Sequence, residues 1–389
     1  MTTSAADPRP GGEDNTRSLG ETVRLFARLG VIGFGGPTAH IAMMEDEAVQ
    51  RRRWLDRTHF LDVLSLTNML PGPNSTEMAI HLGYLRAGAP GALLSGLVFI
   101  LPAFLLMLGL SWAYFEHGAS LNVESLFYGV KPVVIAVIAA TVWRTGRAAV
   151  TDWRLLVLFA AGLGLTLTLP AWEPLVLVGA GLIGILVYAR PPDLGRFLPA
   201  AIILTAAPPV LAWQGETLVD LALLFLRTGG LLFGGGFVLI PLIEHDVVDQ
   251  FGWLTRDEFL DGVALGQSTP GPIVITATFV GYAAAGLPGA VVATVAVFLP
   301  SFVFATVSAR FVRTIRQWDW ARAFLKAVAP AVVGAILAAA ILLARTAIDD
   351  VLTAAILAVA LVALVRFRVE VPYLLGAGAA CGFVAKEAF

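Results

Sequence analysis

One cysteine, five histidines and a thin supply of charge set the first limits on this 389-residue chain. The single thiol, Cys381, excludes an intramolecular disulfide and any cysteine-cluster metal site. The histidines show no metal-ligand spacing, and no GxSxG, HExxH or GxxxxGK motif is present. The chain is therefore read as a protein that is not an enzyme and carries no cofactor or metal. No basic run is long enough for nucleic acid, and a net charge of −2 points to no particular partner. Charged residues make up 14% of the chain, against about 25% in a soluble domain. With 58% apolar residues and a mean hydropathy of +0.81, the composition is that of an integral membrane protein in a lipid bilayer. The first twenty residues lack the apolar core of a signal peptide, and residues 1–18 are expected to form a disordered cytoplasmic tail.

Glycine and proline are plentiful, and many of them sit in a stretch that the chain carries twice. Residues 26–73 contain GFGGP (33–37), RRRWLDRTHFLD (51–62) and NMLPGP (68–73). Shifted by 199 positions come LFGGG (232–236), FGWLTRDEFLD (251–261) and QSTPGP (267–272). Over these 48 positions 19 are identical, including Arg28/Arg227, Glu45/Glu244, Trp54/Trp253 and Asp62/Asp261. Chance would give about one match in fifteen or twenty, so this is an internal repeat. Past a one-residue deletion the match runs on through Gly83/Gly281, Pro90/Pro288, Pro102/Pro300 and Pro132/Pro330. Two copies of one unit, 19–190 and 217–389, are expected, joined by a connector at 191–216 that crosses the membrane once.

Apolar segments long enough to enter a bilayer run at 22–44, 58–86, 90–115, 126–144, 154–171 and 173–189. The second copy supplies 217–243, 258–284, 288–310, 324–345, 350–365 and 371–386. None alternates in polarity, and lipid admits only helices or closed barrels, so the fold class is an all-α integral membrane protein. Glycine tolerates φ values a helix cannot use, and proline removes a helical donor. The FGG and PGP motifs inside the first two segments of each half therefore predict broken or re-entrant helices, with kinked continuous spans as the alternative. Cytoplasmic loops are rich in Lys and Arg. The 45–58 loop carries Arg51, Arg52, Arg53 and Arg57, whereas its mate at 244–258 carries Glu244, Asp246, Asp249, Asp257 and Glu258 against Arg256. This places the two loops on opposite faces and makes the repeats inverted. Inverted repeats with paired broken helices are the architecture of secondary transporters.

Each break frees N–H groups at the start of a half-helix, where the helix dipole favours anions. The candidate substrate site comprises Gly35, Gly36, Gly234 and Gly235 at the glycine breaks, together with Asn74, Ser75 and Thr76, which follow the first PGP. In the second half Gln267, Ser268 and Thr269 precede the break and Thr276 follows it, so the site is expected to be asymmetric. Capping of the half-helices is the other role open to these residues. Lys131 lies inside an apolar run and its repeat mate is Ala329; it either faces a dianion or snorkels to a helix end. His40 follows the GGP break, and Glu77 and His81 lie four apart on one helix face; these are coupling candidates, with structural donor roles open for both histidines. Arg28 and Arg227 either steer anions or anchor the segment ends. Glu45 and Glu244 are expected to pair with nearby arginines.

The blocks GFGGPTAHIAMM (33–44), WLDRTHFLD (54–62), PGPNSTEMA (71–79), FGGGFVLIP (233–241) and STPGP (268–272) together resemble the chromate ion transporter family in its long two-domain form. The resemblance runs from about Leu25 to the C-terminus, and the one departure is Gly236, where the first half has the proline of GGP. It implies a multi-pass protein of the bacterial inner membrane that exports chromate from the cytoplasm and confers chromate resistance. Sulfate, the close structural analogue, is the implied competitor, and a sulfate or other oxyanion transporter of the same fold is the alternative. A membrane-embedded reductase is disfavoured by the single thiol and the lack of a cofactor fingerprint. A homodimer is left open.

Overall fold

The computed structural model describes residues 12–118, 123–188, 217–309 and 319–388, and every regular element among them is helical. The first half contains α1 (Gly12–Ile32), α2 (Gly36–Glu45), α3 (Arg57–Thr67), α4 (Asn74–His117), α5 (Val123–Ala149), α6 (Trp153–Thr168) and α7 (Glu173–Tyr188). The second contains α8 (Thr217–Leu231), α9 (Leu239–His245), α10 (Arg256–Ser268), α11 (Thr276–Ser308), α12 (Asp319–Ala347), α13 (Val351–Val362) and α14 (Val371–Ala388). Among the described residues, 5 helical stretches are long and apolar enough to cross a membrane: 74–117, 124–149, 170–188, 273–308 and 319–347. The chain is a multi-pass membrane protein. The connector at 191–216 and residues 1–11 of the expected tail lie outside the described residues. Helix α1 starts at Gly12, inside the stretch expected as a tail.

The halves repeat in shape as they do in sequence. Helix stops at Ile32 and restarts at Gly36, and stops again at Leu231 before the turn at Gly236–Val238. One π-turn closes α2 (Asp46–Arg51) and another closes α9 (Asp246–Gln250). Both long helices, α4 and α11, fold back on themselves. Ala87 and Ala285 leave helical geometry, and Gly88 and Gly286 take φ of +64° and +59°, a region open to glycine and rare for other residues. Pro90 and Pro288 then restart the helix at a position where a missing N–H does no harm. The arms run side by side: Ser95 Oγ donates to the Ala79 carbonyl at 2.8 Å, and in the second half, one residue beyond the mate of Ser95, the Thr278 and Thr294 hydroxyls bond at 2.7 Å. A Cβ at Gly83 would lie 2.4 Å from the Gly91 carbonyl oxygen, and one at Gly281 would lie 2.3 Å from that of Gly289. Only glycine permits this approach.

Packing then exchanges elements between the halves. Helix α1 lies along α4, α8 along α11, and α4 meets α11. Beyond this core, α5 packs against α13 and α14, while α12 packs against α6 and α7. Small residues let these backbones touch, the usual device between helices in lipid. Gly129 meets Gly378 and Gly382, Gly162 meets Ala331, and Gly184 meets Ala327.

Ion pairs mark the two ends of the bundle. At one end Glu21 binds Arg52 at 2.6 Å and Arg86 at 3.3 Å, and both guanidinium groups lie over the Trp54 ring. At the other end Lys131 binds Asp257 at 2.7 Å and Asp261 at 3.5 Å, and the Tyr114 hydroxyl donates to Asp261 at 2.7 Å. Arg86 and Tyr114 are separated by the second arm of α4, about 40 Å of helix.

Candidate functional site

The four breaks meet. The Gly72 N–H donates to the Leu232 carbonyl at 3.0 Å, and the Gly271 N–H donates to the Gly33 carbonyl at 2.8 Å. Donors and acceptors are each 199 positions apart, so the PGP loop of each half is bonded to the glycine loop of the other. Gly72 and Gly271 adopt φ of +148° and +101°, and Gly35, Gly36, Gly234 and Gly235 are also at positive φ. Gly36 and Gly235 face open space, and Gly35 and Gly234 are exposed.

Chemistry collects on one side of this junction. Pro73 precedes the first arm of α4, and Ser75, Thr76 and Glu77 in its first turn are fully buried. Neither hydroxyl and neither carboxylate oxygen has a hydrogen-bond partner among the described residues. Across the interface, the Ser301 hydroxyl of α11 is equally buried and unpartnered. A Cβ at Gly72 would fall 2.3 Å from Ser301 Oγ and 2.5 Å from Glu77 Oε1, so hydroxyl and carboxyl close on one point. One turn along, His81 Nε2 lies 3.3 Å from Ser308 Oγ. Glu77, His81, Ser301 and Ser308 thus form a polar strip between α4 and α11, headed by the first turn of the half-helix, where the Thr76 and Glu77 N–H groups donate to the Pro73 carbonyl at 2.8 and 3.1 Å.

Among the described residues the second half has no such set. Ser268 donates to the Ala264 carbonyl at 3.0 Å, Thr269 to Gly266 at 3.0 Å and Thr276 to Ile273 at 2.9 Å. Its break is followed by one 3₁₀ turn of Ile273–Ile275, and the α-helix starts only at Thr276. Gln267 keeps a buried, unpartnered Nε2, and Asn74 donates to Asn68 at 2.6 Å. Removing a buried polar group from water without a partner costs about 1–3 kcal/mol. Four such residues at one break, against one at the other, mark the first half as the place where a ligand would restore the lost hydrogen bonds.

The remaining candidates sit elsewhere. His40 Nε2 bonds the Gly33 carbonyl at 2.7 Å and its ring stands edge-on to Phe99, so it fastens the glycine loop. Arg28 pairs with Glu47 at 3.7 Å, and Arg227 pairs with Asp246 at the equivalent place. Glu45 and Glu244 bind Arg57 and Arg256 at 3.1 and 2.7 Å, as expected of them. Lys131 belongs to the acidic cluster of Asp257 and Asp261, with the long arm of α4 between it and Arg86.

The chromate transporter family model matches the chain twice, over residues 20–185 and 219–383. The chain belongs to the chromate transporter family. Among curated relatives, it is 34% identical to the chromate transport protein of Cupriavidus metallidurans, over 95% of this chain and 94% of that one. It is 37% identical to the chromate transport protein of Pseudomonas aeruginosa, over 84% and 82%. It is 33% identical to the probable chromate transport protein of Synechococcus elongatus, over 91% and 92%. No solved structure matches. In this chromate transporter family member, Ser301 and Ser308 are the residues that sequence reasoning missed. Their only signal was a serine where the repeat mates, Ala103 and Leu110, are apolar.

Proposed function

We propose that the chain is a secondary active transporter that exports chromate from the bacterial cytoplasm across the inner membrane, and so confers chromate resistance. The observation that carries this reading is the unpartnered, buried donor set of Ser75, Thr76 and Ser301 at the N-terminus of a half-helix. A tetrahedral oxyanion is recognised by neutral hydroxyls and backbone N–H groups that surround it. Among the described residues no Lys or Arg is bonded at this point, which suits a site that must release as well as bind. The membrane potential, negative inside, favours loss of a dianion by about 4.6 kcal/mol per 100 mV.

The same reading takes the two halves, 19–190 and 217–389, as inverted repeats with re-entrant hairpins at the FGG and PGP motifs. In its support, α3 starts and the first arm of α4 ends beside one cluster, that of Arg52, Trp54, Glu21 and Arg86. The matching hairpin of the second half starts at Asp257, beside Lys131, at the far end of the long arm of α4. Arg51, Arg52, Arg53 and Arg57 assign the first end to the cytoplasm. Alternating access then amounts to exposing the junction of the breaks to each end in turn.

Chromate flux into everted proteoliposomes, with trapped sulfate, pH gradient and membrane potential varied one at a time, tests the reading. Flux that follows one gradient is expected. Sulfate flux with no chromate flux under any gradient would replace chromate by sulfate as the substrate.

A further inference from the structure

The polar strip contains a group that an anion site would ordinarily exclude. Glu77 sits in the first turn of the half-helix, is 0% exposed, and has neither carboxylate oxygen bonded. Its Oε1 lies against Gly72, facing the Ser301 hydroxyl. The half-helix N-terminus supplies only about half a positive charge. No charged side chain on the elements packed around α4 meets the carboxylate among the described residues. Arg28 is paired with Glu47, Arg57 with Glu45, and Asp257 and Asp261 with Lys131. His40 is held by Gly33, and His81, on the same helix, faces Ser308. An ionised Glu77 and a dianion would therefore meet in a low-dielectric space with only the partial charge of the half-helix N-terminus, among the described residues, to offset their repulsion.

We infer that Glu77 and the bound oxyanion share one proton, and that this shared proton, with Ser301 completing the site from the other half, is what ties oxyanion binding to proton movement. The inference rests on the oxyanion site proposed above. With the proton between them the repulsion becomes a hydrogen bond: the carboxylic acid donates to an oxyanion oxygen, or a hydrogen-oxyanion donates to the carboxylate. The proton arrives on one partner or the other, so each binding event takes up one proton whenever the free anion is fully deprotonated and the empty carboxyl is ionised. An anion leaving towards a medium that draws the proton off Glu77 cannot rebind until a proton returns. Ser301, donated by the second half, closes the site only when α4 and α11 are in register.

The test is a proton count. The full-length protein in lipid nanodiscs is titrated with potassium chromate in weakly buffered medium, well above neutral pH, and proton uptake is read with an indicator dye. The wild-type protein is expected to take up about one proton per bound anion, and its affinity to fall about tenfold per pH unit on the alkaline side. Glu77→Gln, which carries a permanent amide donor in place of the acid, is expected to show uptake near zero and an affinity that no longer changes with pH. Ser301→Ala is expected to weaken affinity about tenfold while the proton count stays at about one, since it removes a donor and no titrating group. Chromate bound by the wild-type protein with no proton uptake and no loss of affinity at any pH up to the alkaline limit of the folded protein would overturn the inference and leave the transport reading standing. The same uptake in Glu77→Gln as in the wild type would move the proton to another group and overturn it equally. Absence of chromate binding to the wild-type protein would overturn the oxyanion site itself, and this inference with it.

Discussion

Replacing Gly72 with alanine separates a site glycine from a structural one. The residue adopts a φ of +148°, and Gly271, its repeat mate, adopts +101°. An alanine at either position carries backbone strain of about 1–3 kcal/mol. What the new methyl meets differs. At Gly271 it would touch the Ala103 methyl at 3.0 Å. At Gly72 it would lie 2.3 Å from Ser301 Oγ and 2.5 Å from Glu77 Oε1. Both of these are side-chain ends that can swing away, so the clash is relieved by emptying the site rather than by unfolding the helix pair. The two variants should therefore melt at similar temperatures, while Gly72→Ala loses a charge-assisted hydrogen bond to the anion, about 1.5–3 kcal/mol or roughly ten- to a hundred-fold in affinity. Chromate flux against concentration in proteoliposomes, with thermal melting of the same preparations, reads both quantities. An unchanged KM in Gly72→Ala, or an equal rise in KM in Gly271→Ala, would refute the placement of the site at the first break.

Gly83→Ala and Gly289→Ala push a methyl against a backbone carbonyl that cannot rotate away, 2.4 and 2.1 Å from the added Cβ, so both should reduce the yield of folded protein measured by size-exclusion chromatography. Lys131→Ala leaves the buried Asp261 without its cation and should destabilise by about 3–5 kcal/mol, with partial recovery in Lys131→Ala/Asp261→Asn, as read by thermal melting. In a Cys381→Ser background, Arg53→Cys and Gly252→Cys should be labelled by an impermeant thiol reagent from opposite faces; labelling from one face would end the inverted-repeat reading. The Asp152 carboxylate caps α6, and the Leu155 N–H above all, with Tyr188, Arg154 and Lys326, holds it below the usual carboxylate range. Its contribution is complete above that range and is lost as the pH falls from there down through its own lowered value, so the acid side of the melting profile should flatten in Asp152→Asn.

Much of the fold was legible because its signals are local and doubled. The breaks are written as glycine and proline at matching places, and Gly33, Gly72, Leu232 and Gly271 turn out to bond to one another across the repeat. Even the reversal inside α4 coincides with the gap between two apolar segments, at Gly88 and Pro90. The site was legible only in part. Asn74, Ser75 and Thr76 stood out because a half-helix had to begin there, and Glu77 because ionisable groups are costly in lipid. Ser301 carried no such mark, since its importance comes from packing against Gly72, some 229 positions away. The partners of Lys131 were hidden for a related reason. A lone cation in an apolar run suggests a substrate, and its carboxylate partners lie on a helix more than 100 residues downstream.

The exchange of helices between the halves sets a timetable for biosynthesis. When α6 and α7 leave the ribosome, the helix they pack against, α12, has yet to be made, and α5 must likewise wait for α13 and α14. The first half therefore enters the membrane with its glycine faces uncovered and becomes compact only when the last fifth of the chain arrives. Long-range contacts of this kind slow folding, and they hold the two halves together as one piece once formed. A stop codon or a stalled ribosome before α12 should leave a product whose exposed helix faces invite disposal by membrane proteases, so quality control of this chain is concentrated at its C-terminal end.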